Sequence, residues 1–456
     1  MISDIRFEDK ALKILFISLG CDKNLVDTEM MLGMLVQRGF SITDDETEAE
    51  AVVVNTCCFI NDAKQESINA LLEMAELRKN GSIKALIAAG CLAQRYQDEI
   101  QREIPEVDAI VGTTAIDAVA DALDGVLSGD RRNHLEDINR EPVYGRKRIV
   151  TTGGHYAHLK IAEGCDKHCS YCIIPKVRGN YRSIPIDSLV QEAEHLAASG
   201  VRELILVAQE TTLYGADLYG KKCLPELLHR LCAIQGIYWI RILYCYPEEI
   251  TDELIETIQR EPKVCNYLDI PIQHASDRIL KRMGRRTDRQ ELAEMIAKLR
   301  EWIPDICLRT TLITGFPGET QEDHESLLTF VDEMAFDRLG VFTYSPEEDT
   351  PAALFDDQID EEVKLDRQAD IMELQQEIAF EKAQEAVGST LLVMVEGKVP
   401  DEHAYVARSY RDAPDVDGFV FIQTGRELMT GDFVRVRITG SHEYDLIGEI
   451  EDEFTE

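Results

Sequence analysis

The chain has 456 residues, of which 45% are hydrophobic, and a formal net charge of −37. Its length allows several domains with buried cores. An acidic surface of this kind repels nucleic acid and attracts basic proteins, although the alternative is that the charge serves only solubility. No run approaches the roughly 18 apolar residues of a membrane span, and the N-terminal stretch "MISDIRFEDKALK" lacks the apolar segment of a signal peptide. We therefore expect a cytoplasmic protein with no membrane partner, whose 12 cysteines form no disulfides.

The first 145 residues alternate apolar runs with helical segments. The runs are "KILFISLG", "AVVVNTC" and "ALIAAGC", and "DTEMMLGMLVQRGF" has the pattern of a crossover helix. Continuous apolar runs separated by helices predict a parallel sheet covered on both faces. Cys21, Cys57 and Cys91 each follow one of these strands, so all three should lie at the carboxyl edge of the sheet, where such sheets bind ligands. From this pattern alone they are either ligands or buried strand-end cysteines.

A polar stretch, "GDRRNHLEDINREPVYGRKR", is expected to link this block to a second one. There, six apolar strands alternate with helices and predict a partial TIM-like (β/α)6 barrel, with its site at the carboxyl ends of the strands. Five short strands near the C-terminus predict a small antiparallel barrel of the oligonucleotide-binding type. We therefore predict an α/β protein with domains at residues 11–145, 150–385 and 386–456.

The stretch "EGCDKHCSYCIIPKVRG" places Cys165, Cys169 and Cys172 directly after the first strand of the predicted barrel. Structural zinc sites and closed iron–sulfur clusters take four protein ligands. Three thiolates instead leave one iron of a cubane open to an exogenous chelate. The alternative is a zinc site completed by His168, but His168 and Cys169 are consecutive in sequence and would point apart.

The spacing C-x3-C-x2-C resembles that of the radical S-adenosylmethionine (SAM) enzymes. The resemblance implies that the amino and carboxylate groups of SAM bind the open iron of a [4Fe–4S] cluster, and that one-electron reduction produces a 5′-deoxyadenosyl radical that abstracts hydrogen. Glu210 is a candidate partner of the SAM amino group or a salt-bridged loop residue, and Arg309 either meets the SAM carboxylate or is a structural barrel arginine. The candidate SAM-binding residues are Tyr171, Gln209, Glu210, Arg309, Gly315 and Gly318.

The stretches "SLGCDKNLVDTE", "VNTCCFI" and "AAGCLAQ" resemble the N-terminal domain of the methylthiotransferase family, which joins this domain to a radical SAM core and a C-terminal TRAM domain. The resemblance implies that Cys21, Cys57 and Cys91 hold a second, auxiliary [4Fe–4S] cluster, whose open iron binds or donates the transferred sulfur. We assign Cys57 as the ligand and Cys58 as a packed neighbour, although the sequence also allows the reverse.

Two stretches favour one branch of this family. "GCDKNLVDTE" and "RSYRDAPDVDG" resemble the RimO type, which modifies an aspartate β-carbon of small-subunit ribosomal protein S-twelve, although Asp22 stands where that type usually has proline. Residues 389–456 carry 6 basic and 15 acidic residues, a net charge of 6 − 15 = −9, which suits a basic protein better than RNA. An electron donor and a sulfur donor are expected partners. The alternatives are the MiaB type, which modifies a transfer RNA adenosine, and a non-enzymatic zinc scaffold on the ribosome.

Overall fold

The computed structural model describes residues 12–400 and 402–451, so most of the N-terminal stretch tested for a signal peptide, and the outer ends of the first and third predicted domains, lie outside the described residues. The chain divides into two compact units. Unit 1 contains Met1–Thr151 and Ile173–Arg182, and unit 2 contains Thr152–Cys172 and Ser183–Glu456. Within the described residues, no helix is both long and apolar enough to cross a membrane.

Unit 1 is a parallel five-stranded sheet with helices on both faces. Its strands lie in the order β2-β1-β3-β4-β5, and every pairing is parallel. The strands are β1 (Lys13–Ser18), β2 (Ser41–Thr43), β3 (Ala51–Thr56), β4 (Ala85–Ala89) and β5 (Ala109–Val111). The helices are α1 (Asp22–Arg38), α2 (Asn61–Lys79), α3 (Gly90–Arg95), α4 (Gln97–Glu103), α5 (Val119–Ser128) and α6 (Ile174–Arg178).

Two apolar layers explain why the strands of unit 1 are hydrophobic throughout. Side chains alternate between the faces of a strand, so Val53 packs in the layer that contains α1 and α5, whereas Val52 and Val54 pack in the layer that contains α2. Both faces are therefore buried, as the continuous apolar runs predict. The predicted linker forms no helix, but it runs along the sheet: the Ile110 carbonyl accepts a hydrogen bond from the His134 amide at 2.7 Å.

Unit 2 contains an open parallel sheet of six strands in the order β13-β12-β11-β10-β9-β6, which confirms the predicted partial barrel. The strands of this part are β6 (Tyr156–Lys160), β7 (Ala162–Glu163), β8 (Arg182–Ser183), β9 (Glu203–Val207), β10 (Trp239–Ile242), β11 (Val264–Asp269), β12 (Cys307–Thr314) and β13 (Arg338–Thr343). The helices are α7 (Ile186–Ala198), α8 (Ala216–Tyr219), α9 (Leu224–Cys232), α10 (Asp252–Arg260), α11 (Asp277–Met283), α12 (Arg289–Trp302), α13 (Gln321–Met334) and α14 (Glu361–Glu385).

The last five strands close into the predicted small barrel, in the order β14-β15-β16-β18-β17. Four pairings are antiparallel. The fifth, between β16 and β18, is parallel. This follows because β15 and β17 both run antiparallel to β14, so the strands that come after them, β16 and β18, run in the same direction as each other. The strands are β14 (Thr390–Lys398), β15 (Ala404–Ser409), β16 (Val420–Gln423), β17 (Phe433–His442) and β18 (Asp445–Ile450).

Residues 408–417, here called the junction segment, join the small barrel to the large one. The Tyr156 hydroxyl, at the start of β6, donates to Asp415 at 3.1 Å, and the Tyr267 hydroxyl donates to Asp417 at 2.7 Å. The segment therefore meets the amino ends of the barrel strands. That end is opposite the carboxyl ends at which barrel enzymes place their chemistry.

Buried charges hold this junction together. Glu203, the first residue of β9, accepts hydrogen bonds from Arg241 and from Arg408, each at 2.8 Å, and all three side chains are almost fully buried. Arg241 also donates to the Tyr410 carbonyl at 2.6 Å. The stretch that resembles a RimO signature thus forms the contact between two barrels of unit 2.

Candidate functional site

The carboxyl edge of the unit 1 sheet brings the predicted auxiliary ligands together. Cys21 is the N-cap of α1, Cys57 follows β3, and Cys91 is the second residue of α3. Burial raises the pKa of Cys91, and the charges of Cys58, Cys57 and Cys21 raise it further. Burial also raises the pKa of Cys57, to which the charge of Cys21 contributes. The thiols therefore lie close enough for their charges to interact, and the N-terminus of α1 favours negative charge there.

Two glycines that precede these cysteines leave no room for a side chain. Gly20 has a φ of +92°, and a Cβ there would lie 2.6 Å from the Cys57 Cβ. Gly90 has a φ of +87°, and its Cβ would lie 2.2 Å from the Asn55 Oδ1. Both positions need the left-handed conformation that glycine adopts readily. The Gly-Cys pairs in "SLGC" and "AAGC" are the sequence signal for this packing.

Cys57 and Cys58 differ in their surroundings. The Cys57 amide donates to the Ser67 hydroxyl at 2.9 Å, and that hydroxyl donates back to the Cys57 carbonyl at 3.1 Å. Cys58 is buried in the apolar layer beside α2, with Leu71 among its neighbours. These hydrogen bonds involve only the backbone of Cys57, and beyond burial the charges of both Cys58 and Cys57 raise the pKa of Cys91. The assignment of Cys57 as the ligand and Cys58 as a packed neighbour therefore stays a prediction.

The second cysteine group lies in the loop after β6 and β7. The Cys169 carbonyl accepts from the Cys172 amide at 3.0 Å. Burial raises the pKa of Cys165 to about 11, with contributions from the charges of Cys169 and Glu210. Burial, followed by the charge of Cys169 and a smaller contribution from Cys172, also raises the pKa of Tyr171. The three thiols therefore share one neighbourhood at the carboxyl end of the barrel.

The zinc alternative needs His168 to join these thiols. His168 is exposed, with a φ of +51°. In the described part of the chain, no group of three or more His, Cys, Asp or Glu side chains is arranged to hold a single metal ion, and this holds for both cysteine groups as well as for His168. The exposure of His168 is therefore the observation that counts against the zinc alternative.

Gln209 and Glu210 follow β9 and place two buried oxygens without partners at the carboxyl end of the barrel. Gln209 donates to Glu163 at 2.9 Å, while its Oε1 has no hydrogen-bond partner among the described residues. The Glu210 Oε1 accepts from the Thr212 amide at 2.8 Å, and its Oε2 has no partner in the described chain. Burial raises the pKa of Glu210 to about 7. Buried polar atoms are normally satisfied, so these oxygens fit a ligand that donates hydrogen bonds, such as an ammonium group.

Arg309 is turned towards acidic side chains instead of an open site. Its guanidinium lies 2.9 Å from Asp269 and 3.6 Å from Asp417 of the junction segment. These contacts favour the role of a structural barrel arginine, which we considered beside SAM binding.

The residues predicted to line the adenosyl pocket include an aromatic side chain, Tyr171, and two glycines, Gly315 and Gly318, around which there is no room for a side chain. The rings of Tyr171 and Phe316 meet edge to face at 6.5 Å. A Cβ on Gly315 would lie 2.2 Å from the Lys364 Cγ, and one on Gly318 would lie 2.3 Å from an Asp357 oxygen. Both glycines therefore allow close packing of their loop.

The sequence analysis missed Tyr246, which lies in the loop after β10. Its hydroxyl is 3.1 Å from the Cys169 sulfur. The Arg285 guanidinium lies 3.8 Å from the centre of its ring, and the Lys167 ammonium lies 4.3 Å from the same point. An aromatic residue just beyond a barrel strand, in "ILYCYPEE", is the only signal that could have indicated it.

Three regions of the chain match known families: residues 13–112 match the uncharacterized protein family UPF0004, residues 159–331 match the radical SAM superfamily, and residues 387–450 match the TRAM domain. The protein "Ribosomal protein uS12 methylthiotransferase RimO" of Lachnoclostridium phytofermentans is 62% identical over 96% of this chain and 100% of its own length. This chain belongs to the RimO family of methylthiotransferases. The RimO protein of Symbiobacterium thermophilum is 49% identical over 98% of this chain and 92% of its own length.

The RimO-family chain also resembles solved structures at low identity. The radical SAM methyltransferase TsrM from Kitasatospora setae matches with a TM-score of 0.56 and 12% identity, over 87% of this chain and 77% of TsrM. The cobalamin-dependent SAM radical enzyme OxsB matches with a TM-score of 0.52 and 12% identity, over 80% of this chain and 56% of OxsB. These likenesses show the fold alone. Membership of the radical SAM superfamily implies a [4Fe–4S] cluster and SAM for this RimO-family enzyme.

Proposed function

We propose that this enzyme transfers a methylthio group to the β-carbon of an aspartate in ribosomal protein uS12, the S-twelve protein of the small subunit. The observation that carries the proposal is the 62% identity to a protein named uS12 methylthiotransferase, over 100% of that protein's length. Further relatives with the same name are 47–51% identical over 96–98% of this chain. We also propose the three domains at residues 11–145, 150–385 and 386–456.

The proposed radical site uses Cys165, Cys169 and Cys172 as ligands of the first [4Fe–4S] cluster. When bound, the cluster and SAM supply the radical that removes hydrogen from the substrate. We propose that Glu210 and Gln209 accept hydrogen bonds from the SAM ammonium group. The accepting atoms would be the Glu210 Oε2 and the Gln209 Oε1, which have no hydrogen-bond partner among the described residues. An ionised Glu210 would add charge to that bond.

The proposed sulfur site uses Cys21, Cys57 and Cys91 as ligands of the auxiliary [4Fe–4S] cluster. All three lie at one sheet edge, and the charges of Cys57 and Cys21 add to the burial that raises the pKa of Cys91, which supports this assignment. Three protein ligands would leave one iron of this cluster open for the sulfur that is transferred. A sulfur donor and a low-potential electron donor are therefore the remaining proposed partners.

Charge in the TRAM barrel supports a basic protein as the substrate. Of the six basic residues in this region, Arg408 is buried against Glu203, and Arg411 is paired with Asp337 at 3.0 Å. Contacts between the barrels thus pair two of the six cations, which are then not available to bind RNA phosphates. Ribosomal proteins are strongly basic, and opposite charge speeds their encounter with an acidic enzyme.

The test is incubation of the anaerobically reconstituted full chain with SAM, a reductant and a sulfide source, together with either purified uS12 or bulk transfer RNA. We expect mass spectrometry to find one methylthio group on an aspartate of uS12 and none on RNA. Cys169→Ala should abolish the product. Cys245→Ala is the matched control, because this buried thiol lies in the same unit and its sulfur has one hydrogen-bond partner among the described residues, the Thr211 hydroxyl. Modified transfer RNA with unmodified uS12 would contradict the proposal.

A further inference from the structure

Arg178 belongs to unit 1, although its sequence continues the radical SAM cysteine loop. It lies at the end of α6, and its side chain is about 2% exposed. Its Nε donates a hydrogen bond to the Cys91 sulfur at 3.3 Å. This contact joins a buried guanidinium directly to one of the proposed auxiliary ligands.

Asn24 extends the contact to the other two cysteine-bearing loops. Its amide nitrogen donates to the Leu19 carbonyl and to the Thr56 carbonyl, each at 3.0 Å. Those carbonyls lie just before Gly20–Cys21 and just before Cys57. The Asn24 side-chain oxygen in turn accepts a hydrogen bond from Arg178. One network of hydrogen bonds therefore reaches all three loops that carry the proposed ligands.

Arg178 also forms a buried ion pair. Asp27, which is equally buried, accepts from the other end of the guanidinium at 2.8 Å. This ion pair fixes the guanidinium plane and leaves Nε directed at the sulfur. The guanidinium is thus shared between a carboxylate and a cysteine sulfur.

We propose that Arg178 is a positioning residue of the auxiliary cluster, which holds the Cys91 ligand by an N–H···S hydrogen bond and favours the reduced form of the cluster. The inference rests on the proposed function, because it needs the auxiliary cluster to exist. Hydrogen bonds to cluster sulfurs and nearby charge set reduction potentials. A reduced cluster carries one more negative charge, so loss of a donor and a cation must destabilise it relative to the oxidised form.

The experiment uses the full chain with Cys165, Cys169 and Cys172 changed to alanine, which should leave one cluster. Its midpoint potential is measured by redox titration with electron paramagnetic resonance, together with iron per chain. Arg178→Gln removes the charge and the donor. The matched control is Lys176→Gln, which removes one positive charge from the exposed face of the same helix. Arg178→Lys keeps the charge and tests rescue.

We expect Arg178→Gln to lose at least tenfold in its preference for the reduced form, a fall of about 59 mV for a one-electron couple. Lys176→Gln should leave the potential unchanged, and Arg178→Lys should recover part of the shift. Should Arg178→Gln fail to fold, an Arg178→Lys potential equal to that of the parent chain overturns the inference. Equal potentials in Arg178→Gln and the control also overturn it. If the parent chain binds no iron at all, the auxiliary cluster itself is refuted, and with it the proposed function.

Discussion

Replacement of Glu203 by glutamine tests the buried junction between the two barrels of unit 2. Glu203 is the carboxylate shared by Arg241 and Arg408, at 2.8 Å from each. Arg408 retains Glu396 at 2.7 Å, whereas Arg241 has no second carboxylate among the described residues. The change therefore leaves one buried cation without compensation, which costs about 3–5 kcal/mol. We expect the free energy of unfolding of unit 2 to fall by that amount.

Both tryptophans of the chain, Trp239 and Trp302, lie in unit 2, so a urea titration followed by tryptophan fluorescence reports on this unit. Glu226→Gln is the control, because its pairing with Lys221 at 3.4 Å is exposed and should contribute less than about 1 kcal/mol. A loss in Glu203→Gln no larger than in this control would refute the reasoning.

The pH dependence has a definite sign. Burial alone would raise the pKa of Glu203, but the charges of Arg408 and Arg241 outweigh it and hold the pKa below its ordinary value. Such a carboxylate contributes stability above the pKa of the unfolded chain, about 4.3, and loses it as pH falls through the folded value. The difference between the natural chain and Glu203→Gln should be full at pH 7 and should shrink below about pH 4.

Three further predictions concern the candidate sites. Cys57→Ala should lose about four irons per chain by iron and sulfide analysis, whereas Cys58→Ala should keep them, because four irons make one cubane. Gly90→Ala should destabilise unit 1 by about 1–3 kcal/mol and lower its iron content, since a Cβ there meets the Asn55 Oδ1 at 2.2 Å; Gly39→Ala, with a φ of +102° but open space around it, should keep its iron. Glu210→Gln should weaken SAM binding in calorimetry, yet stabilise the cluster-free chain above pH 7, because burial raises the pKa of Glu210 to about 7 and its ionisation opposes folding. Unchanged SAM affinity in Glu210→Gln would remove Glu210 from the site.

Local patterns were enough to predict the sheets and the cysteine groups. The apolar runs of unit 1 are buried on both faces, and a parallel sheet places all its strand ends at one edge, so Cys21, Cys57 and Cys91 could be grouped without any local motif. The predicted first helix, which starts at Asp27, begins too late. In the structure α1 begins at Asp22, directly after Cys21. The difference arises because the first turn is polar and lacks the apolar periodicity that indicates a helix.

What the sequence could not predict depends on tertiary contacts between distant segments. Arg309 has the same position near the start of β12 whether it binds SAM or an acidic side chain, and the positions of Asp269 and Asp417 favour the second role. Similarly, residues 173–182 follow the radical SAM cysteines without interruption, yet they pack in unit 1, where Ile173 and Val177 join its apolar layer. The sequence alone indicates neither the acidic partners of Arg309 nor the packing of residues 173–182 in unit 1.

The junction segment changes how the RimO-like stretch "RSYRDAPDVDG" relates to the substrate. Three of its charged side chains contact the large barrel: Arg408 pairs with Glu203, Asp412 lies 2.5 Å from Arg338, and Asp417 accepts from Tyr267. These three side chains are buried and are not available to a protein surface. Asp415 and Val416 of the same stretch are exposed. The charges of the stretch therefore serve mainly the contact between the two barrels, and the acidity of the TRAM barrel remains the property that suits a basic protein.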